Sequence, residues 1–318
     1  MRPFPTILLA GLALAQQPQE VPTIKVEVNV VNIMCSVRDN RGALVPSLGK
    51  EDFQVSEEGK PQEIRYFERE TNLPLTLGLL VDVSASQKML IETERRAAER
   101  FFSSVLRQKD LAFLMSFGAE AELIQDFTGS VVLLRDGLDG LKLSVPPMSP
   151  TSSPVPTVYK PRGTILFDAV YLAATEKLRS EVGRKAVVVI TDGVDTGSRV
   201  KLSSAIEAAQ KADMIIYSIY YVDPGAYGGS GFGYAPSNGD LRRMSEETGG
   251  RMFEVNRRNT LDDIFRQIQE EMRSQYAIGY VSTNSVADGS YRRVEVRAKQ
   301  KGLKVQARKG YYAVKDGA

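Results

Sequence analysis

The stretch LTLGLLVDVSAS at residues 75–86 decides the fold. It opens with a nearly continuous apolar run that shows no alternation, which is typical of a central strand covered on both faces. Further apolar runs follow at residues 111–117, 186–191 and 214–222, with helical patterns between them and after them. Strands that alternate with helices predict an α/β fold, with a doubly wound, mostly parallel, Rossmann-like sheet over residues 73–275.

The two flanks of this segment read as short strands. Residues 22–71 alternate apolar and polar side chains, with a change of phase at Val30-Val31 that indicates a bulge or a bend. Residues 276–315 alternate again, and the turn at Lys301-Gly302 predicts a hairpin made of the strands on either side. We expect the two flanks to pack together as one small β module. Cys35 lies in the apolar phase and is expected to be a buried small hydrophobe.

The first fifteen residues have the pattern of a secretory signal peptide. Arg2 precedes an apolar run that ends in Ala13-Leu14-Ala15, where small residues suit the signal peptidase. The run is far shorter than the roughly 20 residues that cross a bilayer. We therefore expect an exported protein, periplasmic or secreted, without an integral membrane segment after cleavage; the alternative is a buried N-terminal strand or helix.

Composition excludes several classes of chemistry. The 318 residues include no histidine and one cysteine, so imidazole-based catalysis, histidine-ligated zinc, intrachain disulfides and cysteine-ligated iron–sulfur clusters are all excluded. A bound metal would have to be a hard cation held by oxygen. The formal net charge of +2 argues against a general attraction to nucleic acid.

Oxygen-bearing side chains follow the predicted strands in three places. Asp82, Ser84 and Ser86 leave the first α/β strand at every second residue, so their side chains can converge on one point. Thr164 stands at the start of a helical pattern, and Asp192 ends another apolar strand ahead of a turn glycine. Functional groups collect at the carboxyl ends of strands in open α/β sheets. Two carboxylates and three hydroxyls suit Mg²⁺, which prefers about six hard oxygens.

This ordered set resembles the metal-ion-dependent adhesion site of von Willebrand factor A domains, because D-x-S-x-S, G-T and T-D-G occur in the family's order. The flanks at residues 31–67 and 293–313 also look like those of bacterial exported proteins termed von Willebrand factor A-related. The resemblance implies that the serines and the threonine coordinate Mg²⁺ (or Mn²⁺ or Ca²⁺), directly or through water. It further implies that Asp82 and Asp192 bind mainly through waters and set the charge of the site.

The function that follows is recognition rather than catalysis. Two carboxylates only neutralise a divalent cation, so an Asp or Glu from a protein partner can complete its shell. The alternatives are a serine or magnesium-dependent hydrolase that uses the same site, or a scaffold with a vestigial site. The sequence contains no G-x-S-x-G elbow, no histidine base, no P-loop and no G-x-G-x-x-G motif, which argues against the enzyme alternative. We therefore expect a binding protein that is not an enzyme.

Other residues near these motifs have plainer explanations. Asp195 is a candidate for a group that lies near the metal without binding it directly, but an aspartate in this context is more often a turn or helix cap, and Asp168 suits a helix N-terminus without any metal. The basic stretch at residues 292–309 alternates strictly, which favours the solvated face of a strand over a nucleic-acid site. Two irregular loops, 144–162 and 223–239, are expected to contact a partner or else to pack on themselves; their aromatic residues are Tyr159, Tyr227, Phe232 and Tyr234.

Overall fold

The structure is a computed structural model that describes residues 30–70, 73–144, 163–227 and 236–313. The predicted signal peptide at residues 1–15 lies outside the described residues. So do Tyr159, Phe232 and Tyr234, together with residues 145–162 and 228–235 of the loops that carry them.

Strands dominate the two flanks, and strands alternate with helices between them. The described strands are β1 (Val30–Arg38), β2 (Phe53–Glu57), β3 (Lys60–Gln62), β4 (Ile64–Glu70), β5 (Leu75–Asp82), β6 (Leu111–Phe117), β7 (Ala121–Thr128), β8 (Arg184–Thr191), β9 (Met214–Tyr220), β10 (Met252–Glu254), β11 (Gln275–Val281), β12 (Tyr291–Ala298), β13 (Lys304–Ala307) and β14 (Gly310–Tyr312). The described α-helices are α1 (Ile91–Val105), α2 (Val131–Asp139), α3 (Leu166–Leu172), α4 (Leu202–Lys211), α5 (Gly239–Thr248) and α6 (Leu261–Arg273).

The central sheet has the strand order β10-β9-β8-β5-β6-β7 and is parallel except for its edge strand β7. Strand β5 lies in the middle, and all eight of its residues are buried. Leu77 and Leu79 face a core shared with α1, α2 and α6, whereas Leu80 faces a second core with α3, α4 and α5. Apolar side chains on both faces explain the unbroken apolar run. The predicted doubly wound α/β fold is confirmed.

Strands from the two flanks pair with one another in two further sheets, of order β13-β1-β11-β4 and β14-β12-β2-β3. Their inner faces share one core, which includes Ile33, Phe53 and Val296. Cys35 lies in that core, and burial raises the pKa of its thiol to about 12. Because β4 and β11 are antiparallel neighbours, the α/β segment leaves and re-enters the strand layer at adjacent positions.

The predicted hairpin around Lys301-Gly302 is wrong. Strand β12 pairs with β2 and β14, whereas β13 pairs with β1 in the other sheet. Alternation tells which side chains share a face, but it does not tell which strand lies alongside. The turn at Gly302, whose φ is +86°, therefore carries the chain from one sheet to the other.

The basic C-terminal stretch divides between the two faces of β12. Arg293, Glu295 and Arg297 are exposed, as expected for a solvated face, but Arg292 is buried on the opposite face. Its guanidinium lies 3.5 Å from the buried carboxylate of Glu57. Part of this basic run is thus internal and serves a buried ion pair.

No helix in the described part of the chain is both long enough and apolar enough to cross a membrane.

Candidate metal centre

The centre begins where two neighbouring strands end. Asp82 is the last residue of β5 and Thr191 the last of β8, and the parallel register places them side by side. The Thr191 hydroxyl donates to Asp82 Oδ2 at 2.6 Å, and the backbone N–H of Ser84 donates to Oδ1 at 2.9 Å. Asp82 is completely buried, so these two donors hold a desolvated carboxylate at the carboxyl edge of the sheet.

The loop after β5 connects this carboxylate to the second one. Ser84 and Ser86 flank the start of a 3-10 turn at Ala85–Gln87, and their hydroxyl oxygens lie 3.0 Å apart. The Ser86 hydroxyl donates to Asp192 Oδ2 at 2.6 Å. Asp82, Ser84, Ser86 and Asp192 therefore form one continuous network, as expected from side chains that leave a strand at every second residue.

Thr164 is held at the same edge by its backbone. Its carbonyl accepts from the N–H groups of Thr196 and Gly197, both at 3.1 Å. The next residue, Ile165, donates to the carbonyl of Gly118, which follows the end of β6. A side chain at position 163 would place its Cβ only 1.6 Å from the Thr196 hydroxyl, so the G-T motif needs its glycine for this close approach.

Two nearby aspartates secure the helix that follows Thr164. Asp195 Oδ2 accepts from the N–H of Phe167 and from the hydroxyl of Ser198. Asp168 in turn accepts from the backbone N–H of Arg199 and Val200. The hydrogen bonds of Asp195 thus go to the start of α3 rather than to the predicted ligands, which is the capping role of such residues.

Tyr227, which the sequence places on a partner-contact loop, has its hydroxyl inside the network. It donates to Asp192 Oδ2 at 2.5 Å, the same oxygen that Ser86 reaches. The loop is attached at a second point, because the side chain of Gln87 donates to the carbonyl of Tyr221 at 3.4 Å. A phenol therefore borders the site from the side of β9.

The electrostatic character of the centre is strongly negative. Burial, together with the charge of Asp192, raises the pKa of Asp82 to about 7, against the lowering effect of its hydrogen bonds from Ser84 and Thr191. No lysine or arginine forms an ion pair with either carboxylate in the described part of the chain. Two buried carboxylates without a cationic side chain are costly, and a bound cation would relieve that cost.

Glu94, on α1, is a further buried carboxylate and is not among the residues predicted from the sequence. It is 1% exposed, and neither of its oxygens has a hydrogen-bond partner. Burial is the largest cause that raises its pKa well above the ordinary value, followed by the charges of Asp82 and Asp192. The sequence does carry a sign of this role: Glu94 shares a helix face with Ala97 and Phe101, and a charged residue seldom occupies a core-facing helix position.

The donor set fits a hard divalent cation. In the described residues, no three carboxylate or thiolate side chains come together as a metal-binding group. A cation here would instead use the hydroxyls of Ser84, Ser86 and Thr164, with Asp82 and Asp192 supplying charge and bound water the remaining ligands. Such oxygen ligands suit Mg²⁺ and are poor for zinc, which prefers nitrogen and sulfur.

No protein-family model matches the chain, and no curated protein matches its sequence. Solved structures that resemble it include a von Willebrand factor type A protein from Catenulispora acidiphila, with a TM-score of 0.48 and 12% identity over 91% of this chain and 74% of that one. An aerotolerance-related membrane protein from Bacteroides fragilis has a TM-score of 0.46 and 16% identity, over 62% of this chain and 98% of that one.

A third similar structure is proximal thread matrix protein 1 from the mussel byssus, described with a zinc-occupied metal-ion-dependent adhesion site. Its TM-score is 0.48, with 12% identity over 67% of this chain and 48% of that one. Similarity at this level carries nothing about function. The parallel order of the chain's own sheet, its antiparallel edge strand and the helices on both faces of the sheet give it a von Willebrand factor A-like fold.

Proposed function

We propose that this chain is an exported binding protein that uses a divalent cation, preferably Mg²⁺, to recognise a protein partner. The observation that carries the proposal is the hydrogen-bonded network of the buried Asp82 and Asp192 with the part-buried Ser84 and Ser86, at the carboxyl edge of the sheet. Two carboxylates and two hydroxyls come together in it, and the backbone of Thr164 is held at the same edge.

The charges support recognition by an acidic group. The carboxylates of Asp82 and Asp192 balance the two positive charges of Mg²⁺, and neutral hydroxyls are weak donors to it. A cation held in this way stays attractive to a further anion. A partner's Asp or Glu side chain is the protein group that best meets that need, because a carboxylate oxygen is a preferred ligand of Mg²⁺.

The rim around the centre offers contacts for such a partner. Met89 lies three residues beyond Ser86 in the sequence, and the residue is 73% exposed. Methionine is flexible and polarisable, so it adapts well to different partners. We propose that Met89 contacts the partner next to its metal-binding carboxylate.

The test is a calorimetric titration of Mg²⁺, and separately of Mn²⁺, into the protein and into an Asp82→Ala variant. We expect saturable binding by the wild type and its loss in the variant. Asp139→Ala is the matched control, because Asp139 is an exposed aspartate at the end of α2. A wild-type protein that does not bind either cation at millimolar concentration would exclude the proposal.

Partner recognition needs a second experiment. Proteins captured by the wild type with Mg²⁺, and released by a chelator, should be absent when Asp82→Ala is the bait. Hydrolysis of esters or phosphodiesters that is lost in Ser84→Ala would instead favour the enzyme class. Binding of partners that ignores both chelator and Asp82→Ala would favour a scaffold with a vestigial site.

A further inference from the structure

Glu94 is unusual among the buried acidic side chains of the described residues. Six are buried: Glu57, Asp82, Glu94, Asp110, Asp192 and Glu271. Five of them accept hydrogen bonds; Asp110, for example, accepts from the backbone N–H groups of Leu75 and Arg107. Both oxygens of Glu94 lack any partner. An ionised carboxylate in such a place is strongly unfavourable unless a positive charge lies near it.

The surroundings of Glu94 supply acceptors and negative charge. Its backbone N–H donates to the carbonyl of Leu90, so it lies one turn beyond the loop that carries Ser84 and Ser86. On the same loop the side chain of Gln87 is completely buried, and its Oε1 also lacks a hydrogen-bond partner. The charges of Asp82 and Asp192 add to burial in raising the pKa of Glu94. Glu94 is therefore a buried, unpartnered carboxyl group whose ionised form a nearby cation would favour.

We propose that Glu94 is the third negative charge of the metal centre, which raises cation affinity through space without being a ligand. This inference rests on the proposed function, because the cation it acts on is the one held by Asp82 and Asp192. Glu94 is buried on a helix whose other buried residues are all apolar. Its charge is screened little by solvent, so it contributes to the field at the cation over a longer range than a surface charge.

A consequence is that the centre is built at a cost to the metal-free protein. Without a cation, Glu94 is either repelled by Asp82 and Asp192 or must take up a proton, and a bound divalent cation removes that cost. Neutralising Glu94 should therefore have effects of opposite sign: it should stabilise the metal-free fold and weaken the binding of Mg²⁺. A purely structural glutamate would lose stability on substitution and leave the affinity unchanged.

The experiment compares Glu94→Gln with Glu92→Gln by calorimetric titration of Mg²⁺ and by thermal unfolding in chelator. Glu92 is on the same turn of α1 but exposed, where it pairs with Arg95, so its charge is screened. We expect Glu94→Gln to bind Mg²⁺ about tenfold more weakly than the wild type and to unfold at a higher temperature in chelator. Glu92→Gln should change the affinity by less than about twofold.

Glu94→Asp, which keeps the charge, should retain the affinity within about threefold, and it tests the inference independently should Glu94→Gln fold poorly. Wild-type affinity in Glu94→Gln would overturn the role of Glu94 and leave the proposed function standing. Equal weakening in Glu94→Gln and Glu94→Asp would also overturn it, since shape rather than charge would then matter. A wild type that does not bind Mg²⁺ would instead overturn the proposed function itself, and this inference with it.

Discussion

Two buried acidic centres in this chain solve the same electrostatic problem in different ways. In the strand layer, Glu57 accepts hydrogen bonds from the hydroxyls of Tyr280, Ser282 and Tyr311 and faces the guanidinium of Arg292. At the carboxyl edge of the central sheet, Asp82 and Asp192 accept hydrogen bonds from hydroxyl and backbone N–H groups, and no described lysine or arginine pairs with them.

The difference indicates what each centre is for. The Glu57 centre contains its own cation, so it is complete within the fold and acts as a structural pair. The centre at Asp82 has hydroxyls to orient its carboxylates but no positive side chain to neutralise them. A protein that can bury an arginine against Glu57 has the means to do so at Asp82, and the absence of one among the described residues supports a site for an external cation.

The largest effect on the free energy of unfolding is expected at the Glu57 centre, which contains its own cation. Arg292→Met would leave Glu57 buried without its cation, which should cost about 3–5 kcal/mol in the free energy of unfolding. Urea denaturation measures it, and Mg²⁺ should not restore the loss. Arg293→Met, at the exposed neighbour, should stay within about 0.5 kcal/mol. A loss below about 1 kcal/mol in Arg292→Met would mean that the two centres do not differ as described.

The second prediction concerns the stabilisation of the wild type by Mg²⁺. At a concentration of 100 times Kd, a ligand that binds only the folded state stabilises it by about 2.7 kcal/mol. The pKa of Asp82 is raised to about 7 in the metal-free fold. Between its ordinary value and 7, the folded protein therefore holds a proton that the unfolded chain has lost, and this contribution to metal-free stability disappears as the pH rises through 7.

Because the same proton competes with the cation, a fixed, sub-saturating concentration of Mg²⁺ should stabilise the protein more at pH 8 than at pH 5.5. Thermal unfolding at both pH values, with Mg²⁺ and with chelator, gives the difference. Arg292→Met offers a comparison within the chain, because its destabilisation should not depend on Mg²⁺ at either pH. Equal stabilisation by Mg²⁺ at the two pH values would contradict the assignment of Asp82.

A smaller effect separates capping from metal binding. Asp195→Ala removes the acceptor for the N–H of Phe167 at the start of α3 and for the Ser198 hydroxyl in the loop after β8, and it should cost about 0.5–2 kcal/mol, the usual range for a lost cap. The Kd for Mg²⁺ should change by less than about threefold. If the affinity fell as far as in Asp82→Ala, Asp195 would belong to the centre after all.

The smallest effect concerns Tyr227. Its hydroxyl donates a hydrogen bond to Asp192, a carboxylate that a bound cation would also stabilise. Tyr227→Phe should cost about 1 kcal/mol in chelator, and less in saturating Mg²⁺, where the cation compensates Asp192. Linkage then requires slightly tighter binding of Mg²⁺ by the variant, which calorimetry can measure against Tyr66→Phe, an exposed control. Weaker binding would show that the phenol helps to hold the cation.

The central sheet and four of the five predicted site residues could be read from local patterns. An unbroken apolar run predicts a strand covered on both faces, and alternate positions after it predict side chains that converge. Asp192 reaches the same network because neighbouring parallel strands end at one edge. Thr164 is at that edge too, where the structure describes its backbone contacts.

Other features depend on contacts between distant segments and could not be predicted in this way. The partners of β12 and β13 follow from the packing of two sheets, not from alternation within either strand. The burial of Arg292 depends on Glu57, which lies 235 residues earlier in the chain. Thr191 could be predicted to end a strand, but not to donate to Asp82.

By itself, the sequence determined the fold class, the chemistry that the chain excludes and the oxygen-bearing residues of one site, since periodicity, composition and spacing are local properties. Only the tertiary structure decided which buried carboxylates are paired with a basic side chain of the same chain. Arg292 reaches Glu57 through strand pairing, whereas Asp82, Asp192 and Glu94 are buried without an ion-pair partner among the described residues. Burial makes that difference matter, because in a poorly solvated interior each unpaired charge contributes to how strongly a cation is held.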